Sequence, residues 1–133
     1  MERAFAVSLK IPDNAAYTAL VTLRRLGIDV ARVERSDVYR VDDSGDAESF
    51  AARMERDETI FNPNKHRLTV LDRIEPRAGE VWIAMHEDPD RNPRRYTGWR
   101  LVDAAGAPVS ADVLQAAADR LLANPAIEKA IIG

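Results

Sequence analysis

The chain has no cysteine, which excludes disulfides, thiolate metal centres and cysteine nucleophiles. Histidine is nearly as scarce, with two in 133 residues, so imidazole chemistry has few places to sit. A basic excess is also missing. The formal net charge of -3 offers no broad cationic face of the kind a phosphate backbone selects, so nucleic acid is not expected as a partner. No apolar run approaches the roughly 18 residues that span a bilayer. Met1-Glu2-Arg3-Ala4-Phe5 lacks the apolar core of a signal peptide. No membrane association is therefore expected, and the expected location is cytoplasmic. There is no Gly-rich phosphate loop, no G-x-S-x-G and no H-E-x-x-H, and no cofactor is expected. What is present is 46% hydrophobic and 31% charged residues, the balance of a folded core with a solvated surface.

Along the chain, Phe5, Val7, Leu9 and Ile11 alternate with Ala4, Ala6, Ser8 and Lys10, which predicts a half-buried strand. Pro12 ends it. Asp13 is placed to cap a helix whose apolar stripe is Ala16, Ala19, Leu20, Leu23 and Leu26, and Gly27 stops that helix. From Val30 to Val41 alternation returns, interrupted by Arg35-Ser36-Asp37. This predicts a hairpin with strands near Val30–Glu34 and Val38–Asp42. A second helix carries Ala47, Phe50, Ala51 and Met54 inward and ends at or before Asn62, because Pro63 disfavours helical geometry in the residue before it. Leu68–Leu71 is then a strand. The predicted order is βαββαβ, that of a ferredoxin-like sandwich.

Arg73 to Gly79 is the expected join between a first unit, 1–72, and a second, 80–133. Val81–Met85 is an almost continuous apolar run, suited to a strand covered on both faces. His86 to Arg95 reads as a polar loop with two prolines, and Trp99–Val102 as a strand. Ser110 caps a third helix with Val113, Leu114, Ala117, Leu121 and Leu122 inward. Asn124-Pro125 closes it, and Ile127–Ile132 is the last strand. Superposing Asn62-Pro63 on Asn124-Pro125 aligns AARMERDETIFNPNKHRLTVL with LQAAADRLLANPAIEKAIIG. Each segment is helix, Asn-Pro stop and strand. The second unit then reads as a truncated ββαβ copy, in an α+β fold of antiparallel sheets with helices packed on one face. With one helix fewer, it is expected to bury its exposed sheet face against the first unit or a partner, since apolar burial yields about 25 cal/mol per Å².

Candidate chemistry is sparse. His86-Glu87-Asp88 offers an imidazole and two carboxylates, but adjacent residues in a proline-rich loop rarely converge on a metal, so a solvated loop is the commoner outcome and no metal site is assigned. His66, between Lys65 and Arg67, suits an anion contact or, more commonly, a charged strand edge. Arg91, Arg94, Arg95 and Arg100, with Tyr96 and Trp99, form a cationic-aromatic cluster that suits an anionic ligand or a partner surface. Lys10, at the end of the first strand, is a further candidate for partner contact. No catalytic residues are assigned.

Leu121 to Ile132, LLANPAIEKAII, resembles the C-terminal signature of the PurS family, the small subunit of phosphoribosylformylglycinamidine synthase. Ala6–Pro12, AVSLKIP, resembles that family's first strand with its Leu-Lys end, and Ala19–Gly27 its first helix. Residues 33–41 sit where the family has its second and third strands. A typical member is a single, shorter unit, and its usual Asp-Pro-Gln-Gly before the first helix is replaced here by Ile11-Pro12-Asp13-Asn14. The resemblance implies a dimer of ferredoxin-like units with no catalytic residues of its own. It also implies glutaminase and synthetase subunits as partners in purine biosynthesis, and a homo-oligomer. A tandem chain would imitate the dimer within one polypeptide. The second function class considered is a ferredoxin-like regulatory module that binds a small ligand.

Overall fold

A computed structural model describes residues 1–85 and 94–133. The elements run β1 (Glu2–Leu9), α1 (Asn14–Arg25), β2 (Arg32–Asp42), α2 (Phe50–Glu55), β3 (His66–Leu71), β4 (Glu80–Met85), β5 (Arg94–Val102), α3 (Ala111–Ala117), a π-helical turn (Ala118–Leu122) and β6 (Glu128–Ile132). The fold is α+β. All six strands join one open antiparallel sheet in the order β3-β1-β2-β5-β4-β6.

The predicted starts and stops of α1 hold. Asp13 accepts from the backbone N–H groups of Ala15 and Ala16 at 2.9 and 3.3 Å, and Gly27 takes the left-handed φ of 82° just beyond the last turn. Ser110 caps α3 through Val113 N–H. Two expectations need correction. The hairpin predicted at Val30–Glu34 and Val38–Asp42 is one uninterrupted strand, β2, so the first half runs β-α-β-α-β. Arg35-Ser36-Asp37 looked like a turn because it is polar, yet the backbone stays extended and the charged side chains find tertiary partners. Arg94 and Arg95, placed in a loop, open strand β5; His86–Asp90, with Arg91, lie outside the described residues.

Strand alternation sorts side chains onto two faces. On one face, Phe5, Val7 and Tyr39 pack with Phe50 of α2 and with Phe61. Beside them Val33, Val81, Ile83 and Leu101 pack with Ala16, Ala19 and Leu23 of α1 and with Leu114, Ala117 and Ala118. The first half's α1 thus covers strands β4 and β5 of the second. On the other face, Val38, Trp82 and Tyr96 form a smaller cluster with no helix over it among the described residues.

The sheet register has an internal symmetry. Val7 of β1 lies opposite Asp37 of β2, Ile83 of β4 lies opposite Thr97 of β5, and Asp37 and Thr97 lie opposite each other. Around that central pair, Ser36 faces Gly98 and Val38 faces Tyr96. Two residues beyond Val7, Leu9 faces His66 of β3; two beyond Ile83, Met85 faces Glu128 of β6. The Asn-Pro turns match bond for bond. Asn62 O accepts from Lys65 and His66 N–H, and Asn124 O accepts from Ile127 and Glu128 N–H. Asn62 Oδ1 accepts from Asn64 N–H, and Asn124 Oδ1 from Ala126 N–H. Asn62 N–H donates to His66 Nδ1 at 3.0 Å, and Asn124 N–H to Glu128 Oε1 at 2.8 Å.

Gly98 beside this centre is there for closeness. A Cβ on it would lie 2.8 Å from Val38 Cγ2 and 3.2 Å from Ser36 Oγ. Gly98→Ala is expected to destabilise the protein by about 1–2 kcal/mol, the usual cost of mild overpacking. Urea unfolding checks this, and an unchanged midpoint would refute the contact.

Candidate functional site

The sheet coils. Although three strands separate them, Thr69 and Leu71 of β3 and Glu80 and Trp82 of β4 line one pocket across the helix-free face, in keeping with the accumulated twist of an open sheet. Its volume is about 220 Å³, and it also touches Ala6, Ser8, Glu34, Arg35, Ser36, Val38, Gly98, Trp99 and Arg100. The pocket straddles the symmetric centre of the sheet. Its inner wall is apolar. Trp82, 3% exposed, meets Tyr96 at a ring-centroid distance of 5.4 Å. Its rim is a charged row set by register: Glu34 opposite Arg100, and Arg100 opposite Glu80. Arg100 Nη1 reaches Glu34 Oε2 at 3.3 Å, and Glu80 Oε1 accepts from Arg77 N–H at 2.7 Å. Among the described residues the Ser8 and Ser36 hydroxyls and the Trp82 indole N–H have no hydrogen-bond partner.

Further along the same face, Arg94 lies opposite Arg40. Arg40 donates to Glu2 Oε2 at 2.7 Å and to the Tyr96 hydroxyl at 3.3 Å. Burial works against its charge, but those two bonds outweigh it and hold the guanidinium above its ordinary pKa. Its Nε is buried without a partner among the described residues.

The predicted cationic-aromatic cluster is divided by the strand. Arg94, Tyr96 and Arg100 lie on the helix-free face, while Arg95 and Trp99 lie on the helix face. Arg95 pairs with Asp37 at 3.2 Å. Partial burial opposes its charge and the Asp37 carboxylate more than restores it, so its pKa is raised. Trp99 sits with Asn14, Ala15, Thr18, Ala19, Thr22, Leu121 and Leu122 around an open recess of about 440 Å³. Lys10 is at the other end of the sheet from Arg94, where its Nζ donates to Pro63 O at 2.7 Å and ties β1 to the first Asn-Pro turn. His66 is used in that same turn. Among the described residues no three His, Asp or Glu side chains group as metal ligands, and no helix is long and apolar enough to cross a membrane. Periodicity misses the pocket residue Ser36, because it falls in the stretch that reads as a turn.

Asp13 lies in a neighbouring recess that shares Ser8, Arg35 and Ser36 with the pocket. Arg35 donates to both its oxygens, at 2.9 and 3.3 Å. Burial pushes the Asp13 carboxyl up, but Arg35 and the capped N–H groups outweigh it and the pKa falls below the ordinary 3.8. A carboxylate depressed on folding stabilises the fold above pH 3.8, and loses that contribution as pH falls from there through the lower folded-state value. Asp13→Asn is therefore expected to be less stable than the parent at pH 6, with the gap narrowing by pH 3. Urea titrations at the two pH values measure it; a constant gap would contradict the assignment.

Comparison with known proteins finds no family model and no curated protein that matches the chain.

Proposed function

We propose that the chain is a non-catalytic assembly subunit, resembling PurS, that bridges glutaminase and synthetase subunits in purine biosynthesis. In this reading 1–72 is a ferredoxin-like unit and 80–133 a truncated copy, and the two imitate within one chain the dimer that the resemblance implies. The observation that supports it is the matched pair of Asn-Pro turns, together with a sheet register symmetric about Asp37 and Thr97. A duplicated unit would produce both features. The β5 strand that carries Arg94 and Arg95, with Trp99, is the proposed partner surface. Tagged protein from its own cells should co-purify with the glutaminase and synthetase subunits, more strongly with ADP or glutamine, and Arg94→Ala/Arg95→Ala should weaken that capture. Elution of the protein free of both subunits under all these conditions would overturn the proposal.

The pocket on the helix-free face favours a second reading, a regulatory module that binds a small ligand. Fold alone does not choose between the two.

A further inference from the structure

We propose that the first Asn-Pro turn is an acid-sensitive latch whose working part is the His66 imidazole. The proposal is independent of both functional readings. Asn62 N–H donates to His66 Nδ1 at 3.0 Å, while Asn62 O accepts from His66 N–H at 2.8 Å. One residue thus holds the turn by its side chain and its backbone together. A ring nitrogen accepts a hydrogen bond only when it carries no proton, so this bond requires the neutral imidazole with its hydrogen on Nε2. Protonation at Nδ1 would set a ring N–H against the Asn62 N–H, two donors with no acceptor between them, and the bond would be lost.

The second turn supplies the contrast within the same molecule. There the matching bond runs from Asn124 N–H to Glu128 Oε1 at 2.8 Å. A carboxylate accepts when ionised and keeps an acceptor oxygen when protonated. Imidazole is the side chain whose charge ordinarily changes between about pH 5 and 8. Mild acid therefore reaches the first latch and leaves the second closed. The surroundings of His66 do not replace the lost bond. Lys65 and Arg67 flank it in sequence, and Lys10, just past β1, holds Pro63 O at 2.7 Å. Asp13, ahead of α1, and Arg35 and Asp37 of β2 share a recess of about 70 Å³ with His66. Both carboxylates are engaged, Asp13 by Arg35 at 2.9 Å and Asp37 by Arg95 at 3.2 Å. Release has a defined reach. The buried Phe61 ring, packed with Phe5 and Phe50, lies 6.1 Å from the imidazole. The same turn ties β1 to β3 through Lys10 N–H and Lys65 O at 2.9 Å. Opening the latch loosens the start of β3 at one edge of the sheet and leaves β6, at the opposite edge, in place.

The test is NMR of the whole chain between about pH 8 and about pH 5. At the alkaline end His66 should show the Nε2–H tautomer, and the Asn62 amide should be protected from exchange. As the ring gains its second proton, Asn62 protection, corrected for the intrinsic exchange rate, should fall about tenfold or more, the scale of one lost hydrogen bond. The fall should track the His66 ring shifts, while Asn124 protection holds. His66→Glu installs the second turn's acceptor and should keep Asn62 protected across the range. His86→Gln removes the only other histidine and should leave the transition in place. An Nδ1–H tautomer at the alkaline end, an Asn62 amide indifferent to the ring's titration, or a loss that persists in His66→Glu would each overturn the latch. Loss at Asn62 and Asn124 together would assign the change to the fold as a whole and would equally overturn it.

Discussion

Phe50→Ala should cost about 3–5 kcal/mol of stability, the range for removing a fully buried aromatic. Phe50 is 1% exposed. It meets Phe5 edge-on at 5.9 Å, and Phe5 stacks on Tyr39 at 5.1 Å. The guanidinium carbons of Arg3 and Arg53 lie 5.6 and 5.9 Å from its ring centre. Helix α2 has only six residues, and Ser49 at its N-terminus makes no side-chain cap bond. So short a helix has little stability of its own, and docking of Phe50 is what holds it. With a total stability of order 5–15 kcal/mol, the variant should sit near its unfolding threshold at 37 °C. Guanidinium unfolding of parent and variant measures the difference. A loss under 1 kcal/mol would show that α2 is not anchored this way.

Asp43→Ala should be the next most damaging change, at about 2–3 kcal/mol. Asp43 Oδ2 accepts from Arg3 Nε at 3.1 Å and from Arg53 Nη2 at 2.6 Å, and its side chain is 12% exposed. Arg3 and Arg53 are 19% and 28% exposed. Removing the carboxylate leaves two guanidiniums facing each other over Phe50. Breaking a buried pair costs about 3–5 kcal/mol and an exposed one at most about 1; the partial exposure of the arginines places this network between them. Arg3→Met added to Asp43→Ala should recover part of the loss, because one stranded charge goes with it. A double-mutant cycle gives that coupling, and strict additivity would contradict a shared network.

Local chemistry made much of this fold legible. Pro12, the Asp13 cap and Gly27 bound α1; Ser110 starts α3; Asn124-Pro125 follows directly on the last helical turn, whereas α2 already ends at Glu55 and Asn62-Pro63 only turns the chain into its edge strand. Val81, Trp82 and Ile83 read as covered on both faces and are buried. What escaped the sequence is long-range. The polar run Arg35-Ser36-Asp37 looked like a turn because alternation predicts an apolar inner face. Arg35 and Asp37 occupy that face only because Asp13 and Arg95 pair with them, and neither partner is visible from periodicity. The site was legible only in pieces. Arg100 and Trp99 were singled out together, yet they point to opposite faces, as strand neighbours must. The pocket itself depends on coiling of the sheet to bring β3 opposite β4, which no local pattern encodes.

All six strands share one sheet about a centre at Asp37 and Thr97. NMR of the uniformly labelled protein tests it most directly. Cross-strand contacts between β2 and β5 should fall on Ser36–Gly98, Asp37–Thr97 and Val38–Tyr96, and the amides of both strands should be among the slowest to exchange, since they lie at the middle of the sheet. A hairpin contact between Val33 and Val38 segments, or fast exchange along β2 and β5, would contradict it.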